Sequence, residues 1–154
     1  MTRRDGGKVE IRTLLSDGDL DQVAPSVELA NRLLNEAQAN LASAQTVQAI
    51  DPGGALQLAY DSARKAATSL LAAQGLRATT AGGHVAVQRA VRAQFGSPFD
   101  RFGRMRRRRH QQEYPTLDSP TATENDAAEM IDFARDAIDA AQAILAAGKL
   151  RPWT

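Results

Sequence analysis

DPGGALQLAYDSARKAATSLLAAQG (residues 51–75) is the stretch that sets the fold class of this 154-residue chain. Asp51 followed by Pro52 is typical of a helix start, because the aspartate accepts a hydrogen bond from an unpaired backbone N–H and proline fits the first helical position. Gly75 is typical of a helix end. Between these limits, small and apolar residues recur every three or four positions, which predicts one long helix with a buried stripe: Leu56, Ala59, Ala63, Ala66 or Ala67, and Leu70.

Helical patterning continues on both sides of this stretch. Ser26 is a candidate N-cap for a preceding helix, and Thr123 with Asp126 three residues later approximates a capping box for the last helix. The preceding helix carries apolar residues at helical spacing, at Leu29, Leu33, Ala37, Leu41 and Ala44. The last helix has the same spacing at Ile131, Ala134, Ile138, Ala141 and Leu145.

A third helix begins near His84 and is interrupted near Gly96–Pro98. It resumes through an arginine-rich segment and should end at Pro115, because a residue before proline is pushed out of the α region. Helices joined by short loops favour antiparallel neighbours. We therefore expect an all-α fold, an up-and-down antiparallel bundle of four to five helices.

The domain organisation follows from the same pattern. We assign residues 23–148 to the bundle, residues 1–22 to a flexible N-terminal arm and residues 149–154 to a C-terminal tail. Val9, Ile11 and Thr13 alternate with charged residues, which hints at a short strand that would have no partner. Trp153 in the tail either packs back on the bundle or serves an interface.

Composition limits the classes of function. The chain has no cysteine and two isolated histidines, so neither a disulfide framework nor a metal site is expected, and no motif indicates a cofactor. No apolar run is long enough to span a membrane, and no apolar segment follows the basic N-terminus as in a secretion signal. We expect a cytoplasmic protein.

Basic residues are concentrated around the segment RMRRRRHQQEYP (residues 104–115). Six arginines lie between positions 101 and 109 among the 19 basic residues, so the other 13 face 18 acidic residues. Such a local patch is typical of a polyanion site, and it equally suits a helix face that docks an acidic partner subunit. Arg109 and Glu113, four positions apart, would also form a solvent-exposed ion pair with no site at all. The predicted nucleic-acid-binding residues are Arg101, Arg104, Arg106, Arg107, Arg108 and Arg109.

Three further expectations concern the helix surfaces. Alanine-rich helices bury little apolar area per residue, so a homodimer would supply what the monomer lacks. Tyr60 is expected in the core or a dimer interface, and His84 is expected as a capping or packing residue. The acidic residues of the last helix form a solvated face or a partner for the arginine-rich segment: Asp132, Asp136 and Asp139.

The order of these segments resembles the HEPN domains (higher eukaryotes and prokaryotes nucleotide-binding), with a match over roughly residues 26–147. LAYDSARKAATSLLAAQGLRATTAGGHVAV (residues 58–87) is similar to their second helix and following turn, through Ala59, Tyr60, Leu70, Leu71, Gly75 and His84. Residues 99–114 look like their arginine-rich third-helix motif. TENDAAEMIDFARDAIDAAQAIL (residues 123–145) resembles their last helix.

The resemblance implies a dimerising bundle in which the third-helix motifs of two subunits come close together. Many HEPN relatives are metal-independent endoribonucleases, often toxins paired with a small nucleotidyltransferase, whereas others bind RNA, nucleotides or protein without catalysis. The resemblance thus implies RNA or a nucleotide as ligand, and an antitoxin or a nucleotidyltransferase as partner.

Two alignments of the motif fit this chain and differ in what they imply. Arg104 and His110 satisfy the catalytic pattern of arginine, four to six residues and histidine. The alternative pairs Arg109 with Tyr114, as in a subgroup with Arg-x4-Tyr, and places tyrosine where catalytic members carry histidine. We favour the second alignment, and with it a binding module over a ribonuclease or a protein-interaction subunit.

The chemistry of metal-free RNA cleavage gives the candidate residues their roles. It needs an acid, a base and cations at the phosphate. Arg104 or Arg109 would bind the phosphate through the guanidinium fork, and His110 would be the first candidate for acid or base because histidine titrates near neutral pH. Tyr114 would orient the substrate or donate a proton.

Overall fold

The computed structural model describes residues 3–154, with side chains from residue 7 onward. In this range the chain forms helices and one two-stranded antiparallel sheet, in which Leu20 lies opposite Ala78. The all-α fold class is confirmed. In chain order the elements are α1 (Arg3–Ser16), β1 (Leu20–Gln22), α2 (Val27–Val47), α3 (Pro52–Gln74), β2 (Leu76–Ala78), α4 (Gly83–Phe95), a short 3-10 helix (Phe99–Arg101), α5 (Phe102–Glu113) and α6 (Glu124–Ala146).

The helix boundaries follow the local capping chemistry predicted from the sequence. Ser26 Oγ accepts from the Leu29 amide at 3.0 Å, and Asp51 Oδ1 accepts from the Gly54 amide at 3.0 Å. The side chain of Thr123 and that of Asp126 each accept from the other residue's amide, which completes the capping box. The interruption between α4 and α5 and the end of α5 before Pro115 are also confirmed.

Helix α3 is the centre of the bundle and packs against α2, α4, α5 and α6. Every position of its predicted stripe is buried. Serines on this helix are buried too, and Ser62 Oγ donates to the carbonyl of Ala37 on α2 at 2.6 Å. Small side chains allow these two helices to approach closely.

The predicted stripe of α2 is wrong by one position in its first half. Ala30 and Leu34 are buried, whereas Leu29 is 46% exposed. One residue turns a helix by about 100°, so the choice between adjacent apolar residues changes the buried face. Ala37 and Ala44 are buried as predicted.

The N-terminal segment is not a flexible arm. Residues 3–16 form α1, which packs against α4 and buries Ile11 and Leu14 completely. The apparent strand alternation at Val9, Ile11 and Thr13 was misleading, because the buried pair Ile11 and Leu14 has helical spacing. With α1 the bundle has six helices within residues 3–154 instead of four to five; residues 1 and 2 of the predicted arm lie outside the described residues.

The C-terminal tail packs back on the bundle. The Trp153 amide donates to the Gln74 carbonyl at the end of α3 at 2.8 Å, and Gln22 Nε2 donates to the Trp153 carbonyl at 2.9 Å. Trp153 also packs against the hydrophobic core. Across residues 3–154 we find no helix with both the length and the hydropathy that a membrane crossing demands.

Candidate anion-binding site on helix α5

Helix α5 is anchored by aromatic packing on its inner face. Phe102 and Met105 are buried, and the Phe102 ring meets Phe133 of α6 edge to face with the centroids 4.9 Å apart. Phe102 also lies edge-on to Tyr60 of α3 at 6.1 Å. Because successive residues turn by about 100°, the arginines that surround this anchor point in three different directions.

Two of the arginines are held by carboxylates of α6. Arg101 Nη2 pairs with Asp136 Oδ2 at 2.6 Å. Arg108 pairs with Asp126 at 3.0 Å and also with Glu129. Arg108 therefore fastens α5 to α6, and Arg101 fastens the 3-10 helix that precedes α5. The prediction that the acidic face of α6 is a partner for the arginines around α5 is confirmed for Asp136. On the same face, Asp132 pairs with Arg135 of its own helix.

Two other arginines point to solvent. Arg104 and Arg107 are exposed and form no ion pair with any side chain of residues 7–154. They are neighbours at i and i+3 on the helix surface. A Cβ atom placed on Gly103 would lie 3.7 Å from Nη1 of Arg107 and 3.9 Å from Nη1 of Arg92, so α4 contributes a third guanidinium. We call Arg92, Arg104 and Arg107 the exposed arginine cluster.

The remaining arginines line a pocket between α5, α3 and the start of α4. This α5 pocket has a volume of about 270 Å³. Helix α5 contributes Arg106, Arg109 and His110 to the wall, and the opposite wall consists of Tyr60, Gly82, Gly83, His84 and Val85. The two histidines of the chain thus line the same pocket, although they come from different helices.

Contacts within the α5 pocket fix the orientation of its side chains. Arg109 Cζ lies 5.7 Å from the centroid of the Tyr60 ring, and Arg109 also pairs with Glu113. The rings of Tyr60 and His84 are stacked with their centroids 6.4 Å apart. The Nε atoms of Arg106 and Arg109 are buried and have no hydrogen-bond partner among the described residues. A buried donor without an acceptor costs about 1–3 kcal/mol, so a ligand oxygen that reached these atoms would recover that cost.

The electrostatics of the pocket favour neutral rings among fixed positive charges. Burial raises the pKa of Tyr60 above its ordinary value of 10.0, and the neighbouring arginines 106, 109 and 64 oppose this rise. Desolvation, followed by repulsion from Arg64 and Arg109, lowers the pKa of His84 below 6.5, although Asp61 and Glu113 oppose this. At neutral pH, His84 is therefore an uncharged imidazole that can accept or donate a proton.

The loop before α4 forms one wall of the pocket and is held by the turn that follows α1. Thr79 Oγ1 donates to the Gly18 carbonyl at 2.7 Å, and it accepts from the Gly82 amide at 3.0 Å. The Thr79 amide donates to the Asp19 carbonyl at 3.1 Å. A Cβ atom on Gly82 would overlap the backbone of Asp19, so only glycine permits this close approach.

The structure separates the candidate catalytic residues. Arg109 and His110 meet at the α5 pocket, whereas Arg104 lies outside it in the exposed arginine cluster. Tyr114 is 63% exposed, and its ring centroid lies 4.9 Å from that of His110. Sequence reasoning missed Tyr60 and His84 as pocket residues, although the resemblance had drawn attention to both. Within the described part of the chain, no three metal-ligating side chains are grouped to hold a metal ion.

Comparisons with known proteins add no functional assignment: no protein-family model, no curated protein and no solved structure matches the chain.

Proposed function

We propose that this chain is a HEPN-like module that binds RNA through helix α5. The observation that carries the proposal is the contrast between its arginines. Arg101 and Arg108 are paired with carboxylates of α6, whereas the arginines of the exposed arginine cluster form no ion pair with any described side chain. Arg106 and Arg109 line the adjoining pocket, and Arg109 is also paired with Glu113. A cationic surface next to a pocket suits a nucleic-acid strand, which offers repeated phosphates to the surface and a single group to the pocket.

Each part of the site has a distinct role in this proposal. The exposed arginine cluster contacts backbone phosphates without regard to sequence. Inside the pocket, Arg106 and Arg109 bind one phosphate through their guanidinium groups, whose planar fork matches phosphate oxygens. Arg109 is held in place by the Tyr60 ring and by Glu113.

Two variants with the same change of charge test the proposal. Arg107→Gln should reduce the slope of log affinity against log salt by about 0.7, the value for one lost phosphate contact on a single strand. Arg101→Gln should leave this slope nearly unchanged and instead lower the free energy of unfolding by less than about 1 kcal/mol, because it breaks a partly exposed ion pair. Fluorescence anisotropy with labelled single-stranded RNA measures the slope. An equal loss of slope in both variants would refute the assignment of distinct roles.

A metal-independent endoribonuclease is the second candidate function. The observation that favours it is that His84 and His110, the two histidines of the chain, line one pocket with two arginines. An acid, a base and cations for the charged phosphorane are the groups that such cleavage needs. Incubation of RNA in EDTA with the wild type, His84→Ala and His110→Ala tests this. Cleavage should be lost in both variants, and cleavage that persists in both excludes the histidine mechanism.

We further propose that the module is a cytoplasmic homodimer. Val85 and Tyr114 are exposed apolar residues beside the α5 pocket, at 43% and 63% exposure, and dimer formation through them would bring two α5 helices together. Light scattering after size exclusion should give twice the monomer mass of 16.5 kDa, and Tyr114→Lys should return it to the monomer mass. A monomeric wild type contradicts this proposal.

A toxin–antitoxin partner or an acidic protein partner would use the same exposed arginine cluster. Co-expression with the product of the neighbouring gene, followed by co-purification, tests for an antitoxin or a nucleotidyltransferase. Retention of that complex in an Arg104→Gln/Arg107→Gln variant would separate partner binding from the cluster. If the same variant lost the complex but kept its RNA affinity, the exposed arginine cluster would be a protein-binding surface and not an RNA-binding surface.

A further inference from the structure

A second pocket lies where the C-terminal tail crosses the ends of α3 and α4. This tail pocket has a volume of about 560 Å³, within the range of roughly 300–1,000 Å³ that is usual for small-molecule sites. Residues of α1, α3, α4 and the tail line it together. It shares no lining residue with the α5 pocket.

The tail pocket is lined by cations and by no carboxylate side chain. Lys8 and Arg12 come from α1, and Lys149 and Arg151 come from the tail. None of these four forms an ion pair with the side chains of residues 7–154. By contrast, Arg89 of α4 is paired with Glu10 of α1. These four cationic side chains would attract an anionic group that entered the pocket.

The floor of the tail pocket is a pair of amides. Gln74 Nε2 donates to Gln94 Oε1 at 2.6 Å, and Gln94 Nε2 donates to Gln74 Oε1 at 3.0 Å. Gln74 is only 5% exposed. Because a carboxamide has two N–H groups and two lone pairs on oxygen, this reciprocal pair leaves one donor and one acceptor on each residue. The floor can therefore recognise polar groups on a ligand.

Aromatic rings complete the lining. Phe95 and Trp153 are half-buried and both border the tail pocket. The backbone of Trp153 is fixed at both its amide and its carbonyl, by Gln74 and by Gln22. Because Trp153 is only half-buried and borders the pocket, part of its ring surface can contact a ligand.

We infer that the tail pocket binds a small ligand in which an anionic group is attached to a flat ring. The four cations bind the phosphate or carboxylate, the ring stacks against Trp153 or Phe95, and the amide pair contacts polar atoms at its edge. Nucleoside monophosphates and aryl carboxylates share this chemistry. The inference does not depend on RNA binding at α5, because the two pockets have separate linings.

Trp153 is the single tryptophan of the chain, so its fluorescence reports on this pocket alone. Adenosine 5′-monophosphate should change the Trp153 emission in a saturable manner, and benzoate binding is followed by calorimetry. Adenosine and inorganic phosphate, which each carry half of the required chemistry, should bind at least about tenfold more weakly, a difference of 1.4 kcal/mol. Binding of only one of the two probes identifies the source of the anionic group and supports the inference.

Variants distinguish binding in the tail pocket from a nonspecific effect of the protein's net charge. Arg12→Gln/Lys149→Gln should weaken binding at least about tenfold, whereas Arg32→Gln, which removes a surface ion pair on α2, should leave it unchanged. Trp153→Phe, tested by calorimetry, should retain binding because it keeps an aromatic face. No binding of either probe, or equal affinity for adenosine and its monophosphate, would overturn the inference. An unchanged affinity in the double variant would do the same.

Discussion

Arg109 lies over the buried ring of Tyr60, with its Cζ atom 5.7 Å from the ring centroid, and its guanidinium pairs at the same time with Glu113 one turn further along α5. The ion pair expected from the sequence is therefore present, but it does not leave Arg109 on a solvated face. It orients the guanidinium at the wall of the α5 pocket. Arg109 is thus both a partner in an ion pair and a lining residue of the α5 pocket.

The ring of Tyr60, not its hydroxyl, should position Arg109. We expect Tyr60→Phe to keep the RNA affinity within about twofold, because the cation–π contact persists. Tyr60→Leu should lower the free energy of unfolding by about 2–4 kcal/mol, since a fully buried ring is lost. It should also weaken RNA binding. Chemical denaturation and anisotropy measure the two effects, and an equal loss of affinity in both variants would show that the hydroxyl contacts the RNA.

The lowered pKa of His84 predicts a stability that falls in mild acid. Below the unfolded-state value of about 6.5, the unfolded chain binds a proton before folded His84 does, so the free energy of unfolding decreases as the pH falls. His84→Gln should remove this part of the decrease, which begins as the pH falls through about 6.5. Urea denaturation at several pH values measures it. An unchanged pH profile in His84→Gln would contradict the prediction.

RNA affinity should have the opposite dependence on pH through the same residue. A phosphate in the α5 pocket would favour the protonated imidazole of His84, so binding should take up a proton and become tighter as the pH falls. His84→Gln should reduce this gain. A wild-type affinity that weakens in mild acid would place the phosphate away from His84.

Gly103 offers a test of the exposed arginine cluster that removes no arginine. Gly103→Ala should raise the free energy of unfolding by about 0.5–1 kcal/mol, because alanine is the better helix residue and its Cβ atom would make only ordinary contacts. Gly103→Glu would place a carboxylate between Arg92 and Arg107, and we expect it to weaken RNA binding at least as much as Arg107→Gln. Comparison of the two variants by anisotropy separates charge from backbone effects. Equal affinities would exclude the cluster from the interface.

Two apolar residues of α1 test whether the N-terminal helix belongs to the folded core. Ile11→Ala should lower the free energy of unfolding by about 2–4 kcal/mol, since Ile11 is completely buried. Val9→Ala, at a position that is 52% exposed, should change it by less than about 0.5 kcal/mol. Thermal and chemical denaturation give both values. Similar small effects in the two variants would instead support the prediction that the N-terminal segment is a flexible arm.

Features that depend on neighbouring residues were predictable from the sequence. The caps at Ser26, Asp51 and Thr123 each need only a side chain and an amide three residues later, so the sequence specifies them directly. The stripe of α3 was also predictable, because this helix is buried on most of its surface and small errors of phase have no consequence. In α2, which has one buried face, the choice between Leu29 and Ala30 required knowledge of the partner helix.

The α5 pocket could not be assembled from the sequence, because its residues come from three helices. Tyr60 and His84 are 24 positions apart, and neither carries a local signal that points to Arg109. The ion pair between Arg101 and Asp136 was anticipated only as a charge complementarity between helices. Which arginines are paired and which are exposed depends on the rotation of α5 about its axis, and buried Phe102 and Met105 determine that rotation.

The close approach of Gly82 to Asp19 joins one wall of the α5 pocket to the turn that follows α1. Since Thr79 ties the loop before α4 to the turn after α1, we expect a ligand in the pocket to stabilise the pairing of β1 with β2, and loss of that pairing to weaken ligand binding by the same free energy. A protein that captured residues 17–22 as an added strand would loosen the pocket wall and release the ligand. Conversely, a bound ligand would slow the hydrogen exchange of the Thr79 amide.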